Sequence, residues 1–101
     1  MPINPADRGL LILTSLAEGD KHGYALMQDI EEFAGVRLGP GSLYGALARL
    51  EEESLVVALP PEARRRPYRI TPTGIEVLRQ ELSAQATISR IGLARLAGSG
   101  R

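Results

Sequence analysis

Three consecutive arginines, Arg64-Arg65-Arg66, stand between two short β-prone runs, and a helical segment bearing Ser42, Tyr44 and Arg49 precedes them. The chemistry open to this set is recognition of a polyanion. Guanidinium forks match phosphate oxygens and guanine edges, and hydroxyls reach phosphates or bases. Bond-making chemistry is poorly supplied. His22 is the only histidine and there is no cysteine. No nucleophile–base pair, glycine-rich phosphate loop or metal-ligand spacing accompanies that histidine. No catalytic residue, metal site or cofactor is expected, and the chain does not read as an enzyme. His22 is expected to cap the second helix or to bridge the His22-Gly23-Tyr24 turn, and Glu51-Glu52-Glu53 to be a solvated helix end.

Each candidate also has a structural reading. Ser42 can cap a helix as well as touch DNA. The Tyr44 ring can lie on the second helix, and Arg49 can pair with Glu52 or Glu53 one turn away. A loop of three like charges is harder to explain without a polyanion, so the basic run leans toward DNA.

The formal net charge is zero, yet it is distributed unevenly. Residues 1–59 carry four basic side chains against nine acidic ones, a net of 4 − 9 = −5. Residues 60–101 carry eight against three, a net of 8 − 3 = +5. A phosphate within a Debye length feels the local charge, so the second half can face nucleic acid. With 44% apolar residues, one Phe, three Tyr and no Trp, a 101-residue chain makes one domain with an aliphatic core. The longest apolar run, Leu10 to Leu13, is too short to span a bilayer. The N-terminus lacks the pattern of a signal peptide, so a cytoplasmic location and no membrane partner are expected.

The elements that must position these residues follow from caps and periodicity. Asn4-Pro5 predicts the start of a helix over about 5–18, with Leu10, Leu13, Leu16 and Ala17 recurring on it and Gly19 ending it. A turn at Asp20–Gly23 leads to a second helix whose inner face is Leu26, Ile30 and Phe33, closed by Gly35. A third helix is expected from a cap at Ser42 to about Glu53, with Leu43, Leu47 and Leu50 buried. Leu55–Leu59 and Tyr68–Ile70 read as strands joined by a turn at Pro60-Pro61-Glu62-Ala63. Arg69 alternates with Tyr68 and Ile70, so it points outward and extends the basic patch. Thr71-Pro72 then caps a fourth helix reaching about Ala97. Its first half (Ile75, Leu78, Leu82) is expected against the first helix. Its second half, through Leu82, Ala86, Ile88, Ile91 and Leu96, is expected to meet a second copy of the chain.

The fold class is thus mainly α with a small β-hairpin. It divides into a winged helix-turn-helix over 1–74 and a C-terminal dimerisation helix and tail over 75–101. Three stretches, Leu16–Leu26, Gly39–Glu51 and Pro67–Gly74, carry His-Gly-Tyr, Ser-Leu-Tyr, Arg-Leu-Glu and Pro-Tyr-Arg-Ile-Thr-Pro-Thr-Gly. In these the chain resembles the PadR family of transcriptional regulators, in its short form with one C-terminal helix. Two departures stand out: Ser54 replaces the usual Gly, and Pro60-Pro61 occupies a wing that usually contains Gly. The resemblance implies dimers built on the C-terminal helix, and leaves open a small-molecule effector. The expected function is a DNA-binding repressor that reads an inverted-repeat operator as a homodimer. Its contacts to double-stranded DNA would be Ser42, Tyr44, Arg49, Arg64, Arg65, Arg66 and Arg69. The alternative is a winged-helix module that docks an acidic protein partner.

Overall fold

The computed structural model describes residues 7–99, with the most apolar helix at the centre. That helix, α1 (Arg8–Leu16), buries Leu11, Ile12, Leu13, Ser15 and Leu16, since a helix apolar on nearly every side must be surrounded. Around it stand α2 (Gly23–Ala34), α3 (Pro40–Glu52) and α4 (Pro72–Ser99). A small antiparallel sheet of β1 (Lys21–His22), β2 (Val56–Ala58) and β3 (Pro67–Ile70), in the order β1-β3-β2, completes the fold. The core joins Leu26 and Ile30 of α2 to Leu43, Leu47 and Leu50 of α3. Tyr68 and Ile70 of the hairpin and Leu78 of α4 close it. This is the winged-helix order with a long C-terminal helix.

Several boundaries differ from expectation. The proposed cap at Asn4-Pro5 lies outside the described residues; within them Asp7 caps α1, its Oδ1 accepting from the Leu10 amide at 3.1 Å. Ser42 does not cap α3. Pro40, suited to the first helical position, starts that helix earlier, and Gly39 stands at the cap with no side-chain bond. Lys21-His22 is a strand rather than a turn, pairing Lys21 with Tyr68 and His22 with Pro67. Phe33 lies on the last turn of α2, beyond Ile30, and is 46% exposed rather than buried. Of the first half of α4, Leu78 is buried, whereas Ile75 and Leu82 are about two-fifths exposed, at 42% and 41%.

The end of α3 explains why the chain can turn there without glycine. The Leu55 amide bonds the Leu50 carbonyl at 2.9 Å and the Ser54 amide bonds the Glu51 carbonyl at 3.0 Å. Buried Leu50 and Leu55 supply the apolar pair that accompanies this Schellman arrangement. Ser54 itself takes a left-handed φ of 62°. The next joint reuses it: Thr71 Oγ1 donates to the Ser54 carbonyl at 2.7 Å and accepts from the Gly74 amide at 2.9 Å, capping α4. A Cβ at Gly74 would overlap the Leu55 carbonyl, so the helix start needs glycine.

The hairpin pairs Val56 with Ile70, Val57 with Arg69 and Ala58 with Tyr68. Its tip is not at Pro60-Pro61, which only lead into it. Glu62 and Arg65 exchange backbone hydrogen bonds of 2.6 and 2.8 Å around Ala63 and Arg64. Both central residues have positive φ, 47° and 68°, the requirement of the two-residue hairpin turn that Asn-Gly usually fills. No helix among the described residues is long and apolar enough to cross a membrane.

Candidate nucleic-acid interface

The structure connects the start of α2, one flank of α3 and the wing. Tyr44 on α3 is half-exposed, and its hydroxyl end lies against Gly23, where any Cβ would overlap it. The ring thus rests on the start of α2, one of the two positions open to it from sequence. One residue earlier, His22 caps α2 through Nδ1, which accepts from the Ala25 amide at 3.5 Å. Its Nε2 lies 3.2 Å from Nη1 of Arg65 in the wing. Tyr44, Gly23, His22 and Arg65 therefore form one run from α3 to the wing.

Tyr24 extends that run and escaped the sequence reading, which followed charge and apolar period. It is 62% exposed, and its hydroxyl accepts from Gln28 Nε2 at 3.2 Å. Its position in the first turn of α2, off the Leu26–Ile30 stripe, was the available signal. The positive end of the helix macrodipole lies beside it.

Arg64, Arg65 and Arg66 are all exposed at the wing. Arg69 points outward as expected, but it does not extend the basic patch. Its Nε and Nη2 grip Asp20 Oδ1 and Oδ2 at 3.0 and 2.8 Å. Those hydrogen bonds, then the guanidinium charge, hold the Asp20 carboxyl below its usual 3.8 and raise Arg69 in turn. Behind it, burial pushes the Tyr68 phenol up, with the charges of Glu51 and Tyr44 adding to the effect.

Ser42 and Arg49 fall on the other flank of α3. They line a groove of about 790 Å³ shared with Arg8 and Arg37. Arg49 makes no ion pair with Glu52 or Glu53 among the described residues, whereas Arg37 holds Glu31 at 3.0 Å. Between the two flanks Gly41 and Gly45 leave helix backbone open, with nothing within 4 Å of where a Cβ would stand. The seven predicted contacts are thus divided: Tyr44 and the three wing arginines on one side, Ser42 and Arg49 on the other, and Arg69 neutralised.

Lys21, the only lysine, is turned inward. Its ammonium meets the Ser15 carbonyl, Glu18 at 2.7 Å and Asp29 at 3.7 Å, while buried Ser15 donates to Asp29 at 2.6 Å. This network anchors β1, the strand that presents His22. No group of three or more His, Cys, Asp or Glu side chains among the described residues could hold a metal ion.

Past Leu78, no described residue of α4 is buried. Leu82, Ala86, Ile88, Ile91 and Leu96 are all exposed, and so is Leu93, which sequence reading did not single out. At 100° per residue, Leu82, Ala86, Leu93 and Leu96 share one side, while Ile88 and Ile91 lie on another.

Comparison with known proteins follows the same lines. The family model described as the transcriptional regulator PadR-like family matches residues 12–80. The transcriptional regulator Rv3488 of Mycobacterium tuberculosis is 35% identical over 97 residues, covering 90% of each chain. A 37.1 kDa protein in transposon TN4556 of Streptomyces fradiae is 51% identical over 83 residues. That match covers 82% of this chain but 24% of the relative, so the chain spans about a quarter of that protein's length. The structure of a transcriptional regulator from Clostridium thermocellum superposes with a TM-score of 0.73 at 31% identity, covering 82% of this chain and 86% of that one.

Proposed function

The chain belongs to the PadR-like family of transcriptional regulators, and on that premise we propose that it is a homodimeric repressor binding an inverted-repeat operator. The observation that carries this reading is the continuous surface from Tyr44 on α3, past the start of α2, to the exposed arginines of the wing. In this reading α3 enters the major groove, with Gly41 and Gly45 allowing its backbone close to the base edges. Arg64, Arg65 and Arg66 track the flanking backbone or minor groove. Ser42 and Arg49, with Arg8 nearby, face the phosphates on the opposite wall of the groove.

The homodimer is supported by the exposed leucines and isoleucines of α4 beyond Leu78. An apolar stripe of that length needs a partner, and a second copy is the simplest one. With a two-fold axis through paired α4 helices, the two α3 helices are expected to read half-sites about one helical turn apart.

The test is fluorescence anisotropy with a duplex from upstream of the chain's own gene, at two salt concentrations, against scrambled competitor. Binding that resists the competitor and weakens steeply with salt is expected. Replacing Arg64, Arg65 and Arg66 together by Ala should weaken binding to all sequences and flatten the salt dependence. Weak binding, equal for both duplexes, would instead favour a module that docks a protein partner.

A further inference from the structure

We propose that His22 is a proton-operated latch on the wing, holding Arg65 back when neutral and releasing it to a DNA phosphate when protonated. The inference rests on the DNA-binding reading above and adds a regulation to it. Its basis is a conflict of hydrogen bonding. The Ala25 amide points at Nδ1 and the Arg65 guanidinium stands at Nε2, so both ring nitrogens face N–H donors. A neutral imidazole has one lone-pair nitrogen. The tautomer that caps α2 turns its own N–H toward Arg65, and the tautomer that holds Arg65 leaves the Ala25 amide opposed. Capping the helix and holding the wing therefore compete at one side chain.

A proton ends both interactions, so the wing loses its acceptor together with the α2 cap. Imidazolium accepts at neither nitrogen, and it sets a positive charge 3.2 Å from a guanidinium. Arg65 is driven out, at the hairpin tip where a phosphate would lie. Apart from Glu62, the neighbouring charged groups are engaged elsewhere. Glu62 is the one acid that shares the small cavity of His22, about 240 Å³, with Ala63, Arg65 and Pro67. Glu62 can take up the imidazolium N–H once Arg65 has left. On β1, Lys21 is committed to Ser15, Glu18 and Asp29, and Asp20 is committed to Arg69 of β3. On α2, the Tyr24 hydroxyl is engaged by Gln28, and on α3 the Tyr44 hydroxyl lies on Gly23.

Reciprocity follows: if protonation favours DNA, then DNA favours protonation by the same factor. Histidine is the one side chain that ordinarily changes charge between about pH 5 and 8, and this chain has a single one. A pH dependence of DNA affinity that disappears in a His22 variant therefore reports on one identifiable side chain.

The experiment is anisotropy with the full chain and the upstream duplex at fixed salt, from about pH 8 to about pH 5.5. Wild type should bind about fivefold more tightly at the acid end, the low end of ordinary coupling between two binding events. His22→Asn keeps a good helix cap but cannot titrate, so its affinity should not change with pH. Calorimetry in two buffers of different ionisation enthalpy should show proton uptake on binding by wild type and none by His22→Asn. A wild-type affinity independent of pH overturns the latch while leaving the DNA-binding reading intact, as does His22→Asn retaining the wild-type slope. Absence of binding by wild type at every pH removes both.

Discussion

Ser54, Ala63 and Arg64 each occupy a left-handed backbone conformation without being glycine. That conformation costs a residue with a Cβ about 1–2 kcal/mol. Ser54→Gly should therefore raise stability by about 1 kcal/mol, a rise of about 4–8 °C in Tm for a domain of this size, read by thermal circular dichroism. The Thr71 bond to the Ser54 carbonyl involves backbone only on that side and survives the substitution. Asp20 makes a different prediction. Arg69 depresses its folded pKa, so the stabilisation is fully present above the ordinary value near 3.8 and is lost as pH falls through the lowered one. Wild type should lose stability below about pH 4 more steeply than Asp20→Asn in acid denaturation. The same variant leaves Arg69 unpaired, so at neutral pH it should bind DNA more tightly and with a steeper salt dependence.

At the scale of elements, two helical glycines do opposite things. Gly45 lies mid-helix on α3 with nothing near its Cβ position, whereas Gly74 in the first turn of α4 abuts the Leu55 carbonyl. Gly45→Ala should stabilise by about 1 kcal/mol yet weaken operator binding, as a methyl group enters the space between helix and bases. Gly74→Ala should destabilise instead, since backbone must move. Melting curves and anisotropy on the two variants separate these outcomes. The order of the four helices and the hairpin was legible because Leu43, Leu47 and Leu50 repeat at helical spacing and Val56–Ala58 and Tyr68–Ile70 are β-prone. The two-residue strand Lys21-His22 was not legible, because no periodicity fits into two polar residues and its partner lies far along the chain. The capping error at Ser42 came from side-chain preference, where the fixed φ of Pro40 won. Site residues were read by charge, which picked out the exposed wing arginines and also Arg69, whose charge Asp20 neutralises. Only tertiary structure brings Asp20 to Arg69, across 49 positions.

The whole molecule measures 58 × 26 × 23 Å, and α4 accounts for much of the long dimension, since its 28 residues span about 42 Å. Its exposed stripe gives the prediction that belongs to this scale. Leu93→Lys places a charge on the side shared with Leu82, Ala86 and Leu96, and should shift sedimentation from dimer to monomer. Operator affinity should fall with it, while the thermal midpoint measured on monomer changes little, because Leu93 touches no core in the single chain. A variant that stays dimeric would place the interface on the Ile88–Ile91 side.

The Thr71 hydroxyl, bonded at once to the end of α3 and the start of α4, makes a pivot with a very short inner arm and a long outer one. A tilt of one degree there displaces the far end of α4 by roughly 0.7 Å, given a helix of about 42 Å. In the proposed two-fold pair, far ends held by one another would return that displacement to the two α3 helices as a change in their separation. Whatever grips the outer arm would thereby set the half-site spacing that the proposed dimer fits.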